Sequence, residues 1–236
     1  MTKYPNIPQP FVLRLGLSEP TTVEEGGEWT FGIRLFGPAI EFYPYVVLAV
    51  TRVGERGLGR DRTAFELLDV TDGSESLIAQ SSLKAPRQRS LHKDDESPSQ
   101  VSHRLKIRFE TPMRLQTNGT MNVQPSMSDL IRAAIRRVRV LSHFYGPSEI
   151  VPDDVGNTVA AAEATKVTAR QTRWHEIHRR STRQQVDMCL SGLVGCLGVD
   201  MPDDRLVPWL HAASVCHVGK ATSFGYGRIE LDWEET

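Results

Sequence analysis

The chain has 236 residues, a formal net charge of −1 and three cysteines. This length suits one large or two small domains and is enough to bury a core without disulfides or metals. The near-zero charge excludes a uniformly basic surface, and an odd number of cysteines in apolar stretches indicates reduced thiols and a cytoplasmic protein. No stretch has the apolar length of a transmembrane helix, so we expect no membrane partner.

The first 84 residues are predicted to form a strand–helix–strand–strand unit. Apolar side chains alternate with other residues along residues 29–36, which is typical of a strand, and Pro44 predicts a helix that is kinked or begins only there. The predicted elements are strands at residues 11–17 and 29–36, a helix at 39–53, and strands at 63–70 and 77–82. Residues 85–100 are rich in proline, serine and charged residues, which indicates a linker or a mobile loop.

The second half repeats this order and extends it. A helix is predicted over residues 127–145, capped by Ser126 or Ser128 and ended by Gly146 and Pro147. The other predicted elements are strands at 103–109, 166–174 and 186–199, helices at 153–164 and 202–215, and a final strand after a glycine-rich loop.

Each half therefore follows the strand–helix–strand–strand order of the split ferredoxin-like unit, and a helix and a strand complete that unit in the second half. RNA-recognition modules use this unit with the sheet facing RNA. The predicted fold class is α+β, with two tandem ferredoxin-like (RRM-like) domains at residues 1–84 and 101–236.

Residues 217–227, His-Val-Gly-Lys-Ala-Thr-Ser-Phe-Gly-Tyr-Gly, form the glycine-rich loop. Glycine lets the backbone approach a ligand closely, and N–H groups beside a lysine can cradle an anion. An ATPase phosphate loop is excluded, because Ala221 follows Lys220 and a strand rather than a helix comes next. We expect an RNA backbone here, and the alternative is a strand-entry turn without a ligand. The residues predicted to contact RNA are Gly219, Lys220, Ser223, Gly225 and Gly227.

The helix at residues 127–145 has a cationic side, which we call the arginine face. At about 100° per residue, its members share one side and the apolar residues point the other way. No acidic residue follows Asp129 on this face, so the arginines lack helical partners and are predicted to bind RNA phosphates. The alternative is a solvated helix whose arginines pair with distant acids. The members of the arginine face are Arg132, Arg136, Arg139 and His143.

A second concentration of positive charge lies at residues 166–183, with six lysines and arginines against one acid, Glu176. A basic stretch inside a neutral protein indicates a localised anionic partner. The residues predicted to bind RNA here are Arg173, Arg179, Arg180 and Arg183, and His175 and His178 lie among them.

In these residues and motifs, the chain resembles the CRISPR-associated endoribonucleases that cut precursor repeat RNA. Those enzymes are members of the RAMP superfamily, whose proteins have paired ferredoxin-like domains. The family's loop reads glycine–apolar–glycine, five residues including a base, and glycine–apolar–glycine. Residues 218–227 match this pattern, and His217 replaces the first glycine. Other matching stretches are residues 36–39, 54–60, 105–115, 181–184 and 191–195, together with the arginine helix.

The resemblance implies a metal-independent cut, without a cofactor, at the base of a CRISPR repeat hairpin in precursor crRNA. In such a reaction the ribose 2′-hydroxyl attacks the adjacent phosphate and leaves a 2′,3′-cyclic phosphate and a 5′-hydroxyl. The product hairpin then stays bound in an effector complex with other CRISPR subunits. The chemistry needs a general base, a general acid and cations around the phosphorane.

This chain departs from the family in one respect. Many members place a general-base histidine in the first helix of the first domain, whereas residues 39–53 contain Tyr43 and Tyr45 but no histidine. The predicted catalytic residues are His143 and His178, because each lies among arginines and histidine can transfer protons near neutral pH. His217 could act at the loop or simply pack.

The alternative function is a non-catalytic repeat-RNA-binding subunit of a CRISPR effector complex. A small-molecule enzyme is a third possibility, but the sequence shows no carboxylate pair, metal-ligand set or cofactor fingerprint for one.

Overall fold

The computed structural model describes residues 7–15, 22–59, 61–72, 78–79, 82–83, 103–117, 119–146, 154–181, 186–200 and 203–235. The chain divides into a larger unit, residues 1–34 and 93–236, and a smaller unit, residues 35–92. The predicted linker at residues 85–100 lies outside the described residues, and the predicted domain boundaries stay a prediction. Among the described residues, no helix combines the length and apolar character that crossing a membrane requires.

The elements follow one another from the N-terminus. They are β1 (Phe11–Arg14), β2 (Gly32–Leu35), a 3₁₀ turn (Gly37–Phe42), α1 (Tyr43–Arg56), β3 (Ile78–Ala79), β4 (Ser82–Leu83), β5 (His103–Met113), β6 (Gln116–Thr117), β7 (Thr120–Met121), α2 (Met127–Tyr145), α3 (Val155–Ala164), β8 (Val167–His175), β9 (His178–Ser181), β10 (Val186–Cys189), β11 (Gly192–Asp200), α4 (Val207–Cys216) and β12 (Ile229–Glu235).

The larger unit is built on a four-stranded antiparallel sheet in the order β12-β5-β11-β8. Side chains of β5, β11 and β12 form one core with apolar residues of α2 and α4. The order β5-α2-β8-β11-α4-β12 is the predicted ferredoxin-like unit, with α3 inserted before β8 and the β9–β10 hairpin inserted before β11. This arrangement leaves one face of the sheet uncovered by α2 and α4.

Helix α2 has the bounds that the sequence predicts. Ser126 is the N-cap: its hydroxyl accepts from the N–H of Asp129 at 3.1 Å, and the Asp129 carboxylate accepts from the N–H of Ser126 at 2.9 Å. This capping box satisfies two backbone donors that would otherwise lack partners. The helix buries Leu130, Ile131 and Leu141 against the core, which fixes which side remains in solvent.

In the smaller unit, α1 begins at Tyr43, after the 3₁₀ turn, with Pro44 in its first turn. This start is the later of the two that the sequence predicts. Proline suits the first turn of a helix, because the N–H group that proline lacks has no partner there.

The predicted strand at residues 63–70 is wrong. Apart from a single bridge at Thr63, those residues have no partner strand among the described residues, and alternation alone cannot supply one.

Candidate nucleic-acid interface

The glycine-rich loop joins α4 to β12 and is closed by backbone hydrogen bonds. The N–H of Val218 donates to the carbonyl of Gly227 at 3.0 Å, which ties the two ends of the loop together. The N–H of Lys220 donates to the Arg114 carbonyl at 2.9 Å, and the N–H of Gly227 donates to the Pro112 carbonyl at 3.2 Å. The loop is therefore held against the end of β5.

Thr111 of β5 adds a side-chain link to this closure. Its hydroxyl donates to the Gly225 carbonyl at 2.8 Å and accepts from the N–H of Arg228 at 2.9 Å. The side chain is only 5% exposed, so the bond to Gly225 is buried and the bond from Arg228 is partly shielded from water. One buried hydroxyl thus connects two points of the loop that lie on either side of Gly227.

The loop's glycines are required by its own backbone. Gly219, Gly225 and Gly227 have φ angles of +92°, +88° and +72°, which side-chain-bearing residues rarely adopt. A Cβ at Gly227 would lie 1.8 Å from the Val218 carbonyl oxygen, and one at Gly219 would lie 2.6 Å from that of Arg114. These close contacts explain why the loop needs glycine at Gly219 and Gly227 even when it binds no ligand.

The groups that the loop offers to a ligand are therefore few. Lys220 and Phe224 are exposed, and Ser223 is half-buried. Because the N–H groups of Gly225 and Gly227 are used inside the protein, an anion at this loop would meet the Lys220 ammonium and the Ser223 hydroxyl instead.

His217, at the start of the loop, is completely buried. Its φ of 55° and ψ of 152° fall in a region that is essentially restricted to glycine, which agrees with its place in the family pattern. Neither ring nitrogen forms a hydrogen bond of normal geometry with a described residue. The backbone of Tyr226 lies nearby and slightly favours the protonated form of the ring. Burial, with smaller contributions from Arg34 and Arg228, lowers the pKa of His217 to about 3. The ring is therefore neutral at physiological pH, and its burial supports the packing alternative.

Two arginines hold the C-terminal carbonyls of α4, just before the loop. The Arg34 guanidinium donates to the Val215 carbonyl at 3.0 Å, and that of Arg137 donates to the Cys216 carbonyl at 3.2 Å. Burial lowers the pKa of Arg137. Such bonds satisfy acceptors that a helix end leaves without partners.

The arginine face is exposed, as its periodicity predicts, but its members differ. Arg132 forms an ion pair with Glu163 of α3 at 2.6 Å, so for Arg132 the structure shows the alternative, pairing with a distant acid. The reason is tertiary, because Glu163 lies 31 residues away in the sequence. Arg136 and Arg139 are exposed and form no ion pair with another described residue. His143 is exposed in the last turn, with its ring edge-on to Phe144.

The second basic region is placed on β8 and β9. Arg173 is exposed on β8, and His178 begins β9 with 74% of its side chain exposed and its Nε2 atom 3.8 Å from Glu176 Oε2. Arg179 and Arg180 follow in β9, opposite Met188 and Asp187 of β10. Arg183 lies outside the described residues. The two candidate catalytic histidines thus lie on separate elements, α2 and β9.

The uncovered face of the sheet does not offer the aromatic platform of an RNA-recognition module. Strand register places Gln171, Cys196, Arg108 and Glu230 in one row across it, and none of the four is aromatic. Arg108 is 3.1 Å from Asp232 and 3.3 Å from Glu110, and it also contacts Glu230. Carboxylates repel phosphates, and this row offers the bases no ring to stack on, so it lacks the features with which the sheet of an RNA-recognition module binds RNA.

Sequence reasoning missed Thr111 and Arg228. A threonine within a strand gives no sign that its hydroxyl bridges a loop more than a hundred residues away. Arg228 had a usable signal, because it directly follows the last glycine of the loop.

Comparison with known proteins identifies relatives of this chain. An uncharacterized protein of Archaeoglobus fulgidus is 24% identical over 217 residues, which cover 89% of this chain and 68% of that protein. Residues 1–95 match the family model of an N-terminal domain, AF_1859_N.

Solved structures extend the likeness across the chain. One Cas6 product complex is 22% identical, with a TM-score of 0.53, and covers 95% of this chain and 85% of its own. A product complex of a Thermus thermophilus Cas6 is 16% identical, with a TM-score of 0.60, and covers 95% and 82%. These likenesses confirm the predicted α+β fold class with tandem ferredoxin-like domains.

The second half of the chain matches a family model of its own. Residues 107–229, just over half of the chain, match the model described as CRISPR-associated endoribonuclease Cas6, and they include the arginine face and the whole glycine-rich loop. This match confirms the resemblance found in the sequence. The chain belongs to the Cas6 family of CRISPR-associated endoribonucleases.

Proposed function

We propose that this protein is a metal-independent endoribonuclease that binds a CRISPR repeat hairpin and cuts precursor crRNA at the hairpin's base. The observation that carries the proposal is the Cas6 endoribonuclease match over residues 107–229. The likeness to Cas6 proteins solved with a product and with a substrate mimic supports it. After cleavage, the product hairpin stays bound and joins other subunits of a CRISPR effector complex.

The chemistry we propose is attack of the ribose 2′-hydroxyl on the adjacent phosphate. The leaving 5′-oxygen takes a proton, so the products are a 2′,3′-cyclic phosphate and a 5′-hydroxyl. His143 and His178 are the proposed proton carriers, and the exposure of both rings leaves them accessible to RNA. Lys220, the exposed arginines of α2 and β8, and Arg179 and Arg180 of β9 would bind the RNA phosphates and offset charge that develops in the transition state.

The test is cleavage of a labelled repeat hairpin by the purified chain in EDTA. We expect cutting to proceed in EDTA, to stop when the scissile nucleotide carries a 2′-deoxyribose, and to leave a cyclic phosphate that mass spectrometry identifies. We also expect about one turnover per chain, because the product is retained. A requirement for added metal, or cleavage of the 2′-deoxy substrate, would contradict the proposed mechanism.

The arginine face gives a second expected result. Replacing both Arg136 and Arg139 with alanine should weaken hairpin binding and lower the slope of log affinity against log salt by about one unit for each lost phosphate contact. The matched control is Arg132→Ala, which removes an arginine already paired with Glu163 and should change the slope less. Anisotropy titrations over a salt series measure both. An unchanged slope in the double variant would remove this face from the RNA site.

A non-catalytic RNA-binding subunit remains the second candidate function. The observation that favours it is α1, where the described helix carries Tyr43 but no histidine. Under this function the chain binds the hairpin with the same salt dependence and never cuts it.

A further inference from the structure

Exposed apolar side chains follow one another along α1 of the smaller unit. Tyr45, Leu48 and Val53 are 69%, 46% and 40% exposed, and Ala49 is exposed between them. At about 100° per residue, these side chains share an arc of about 140° with two arginines. We call this set the α1 stripe. It consists of Tyr45, Leu48, Ala49, Arg52, Val53 and Arg56, which also line a groove of about 360 Å³.

The other side of α1 already packs inside the smaller unit. Val47 and Val50 are half-buried there, and Gly54 is buried. A Cβ at Gly54 would lie 2.3 Å from the carbonyl oxygen of Phe65, so the chain passes close to this side of the helix. A surface helix needs one apolar face to join its own core, whereas α1 has two. A contiguous exposed apolar patch of this kind marks an interaction surface.

The two ends of the α1 stripe carry opposite charge. At the C-terminal end, Arg52 and Arg56 are exposed and form no ion pair with another described residue. At the N-terminal end, the exposed ring of Phe42 lies 6.2 Å from that of Tyr45. Glu41 directly precedes Phe42, is exposed, and has no ion-pair partner in the described part of the chain either.

The centre of the α1 stripe suits a second copy of the same helix. With a two-fold axis between residues 48 and 49, Leu48 of one copy lies opposite Ala49 of the other in an antiparallel pair. A small residue at this point lets the two helices approach to the usual packing distance of about 8–10 Å. Antiparallel helices also bring opposite ends of their dipoles together.

The same axis makes the flanking residues complementary. It places Tyr45 opposite Arg52, and Glu41 opposite Arg56, and each of these pairs occurs twice. A guanidinium is attracted by the face of a tyrosine ring and by a carboxylate. A parallel pair of helices would instead bring the arginines of one copy against the same arginines of the other. The charges therefore select the antiparallel orientation.

The chain itself offers little that could cover the α1 stripe from the segment after the smaller unit's last described strand. Residues 84–102 contain only Leu91 and Val101 as large aliphatic side chains. Three turns of exposed apolar helix need more apolar partners than these two residues supply.

We propose that the α1 stripe is the contact between two copies of this chain, which form a weak antiparallel dimer. The contact is about 17 Å long and one helix wide. That is less than the roughly 1,200 Å² of a stable specific interface, so we expect a dissociation constant of about 10 µM or weaker. The inference goes beyond the proposed function, because it uses none of the residues proposed to bind RNA.

The test is sedimentation equilibrium of the full chain without RNA, over concentrations from about 1 to about 300 µM. The average mass should rise with concentration toward that of a dimer. Leu48→Glu should weaken association by about 100-fold or more, because it places two like charges beside the two-fold axis. The matched control is Thr51→Glu, which adds the same charge to an exposed position of α1 outside the stripe and should associate normally.

A charge exchange tests the antiparallel pairing. Glu41→Arg and Arg56→Glu should each weaken association by about tenfold, because each turns two attractive pairs into repulsive ones. The double variant Glu41→Arg/Arg56→Glu exchanges the charges within each pair and should restore association to the wild-type level. Thermal melting followed by circular dichroism establishes that each variant is folded.

Three outcomes would overturn the proposal. A wild-type chain that stays monomeric over the whole concentration range would leave the α1 stripe to a different protein. A dimer that Leu48→Glu does not weaken would use another surface. A double variant that stays as weak as the single ones would rule out the antiparallel pairing. Each of these results is independent of whether the chain binds or cuts RNA.

Discussion

Replacing His178 with alanine is expected to slow single-turnover cleavage of a repeat hairpin by about 10²–10⁴-fold, the usual cost of losing a general acid or base. The His178 ring is open to solvent at the start of β9, and the strand continues with Arg179 and Arg180. The Glu176 carboxylate lies 3.8 Å from Nε2, which is beyond hydrogen-bond distance, so the ring is free to turn toward a substrate. Affinity should change little, because the proposed role is proton transfer and not binding.

The matched control is His175→Ala, at the end of the preceding strand β8, which should cut at the wild-type rate. His143→Ala is measured beside it and should slow cleavage by a similar factor if the second proton transfer belongs to α2. Wild-type rates in both His143→Ala and His178→Ala would assign the proton transfers to other groups, and Tyr43 and Tyr45 of α1 would be examined next. A loss of affinity that matches the loss of rate would make His178 a binding residue.

Thr111→Val is expected to lower the free energy of unfolding by about 2–6 kcal/mol. Valine keeps the shape of threonine but removes the hydroxyl, which leaves the Gly225 carbonyl and the Arg228 N–H without their partner. Each buried polar group left unpaired costs about 1–3 kcal/mol. Urea unfolding of the wild type and the variant measures the difference directly.

Thr111→Ser is the matched control, because it keeps the hydroxyl and removes only a methyl group. It should retain most of the stability that Thr111→Val loses. If Thr111→Val unfolds within about 0.5 kcal/mol of the wild type, the range typical of surface substitutions, the loop is not held by this hydroxyl.

The elements that the sequence predicts best are those with local signals. Helix α2 was predictable at both ends, because Ser126 and Asp129 form a capping box within four residues and Gly146 follows the last turn. The strand predicted at residues 63–70 failed, because a strand depends on a partner elsewhere in the chain and its own alternation does not reveal whether one exists.

The features of the candidate site also differ in how far the sequence could predict them. The exposure of Arg136 and Arg139 follows from helical periodicity, which is local. The pairing of Arg132 with Glu163 and the bridging by Thr111 join residues far apart in sequence, so periodicity could not predict them. The loop's glycines were recognised, but their positive φ angles serve the loop's own closure, which the pattern alone did not distinguish from close approach to a ligand.

The two guanidinium groups at the end of α4 change the electrostatic potential at the glycine-rich loop. A helix C-terminus carries about half a negative charge, which would repel a phosphate from the residues that follow it. Arg34 and Arg137 bring two full positive charges to the Val215 and Cys216 carbonyls, so the sign of the local field is reversed. Burial of Arg137 keeps solvent ions away and leaves that field less screened. A chain with a net charge of −1 can thus present a positive potential where the loop begins.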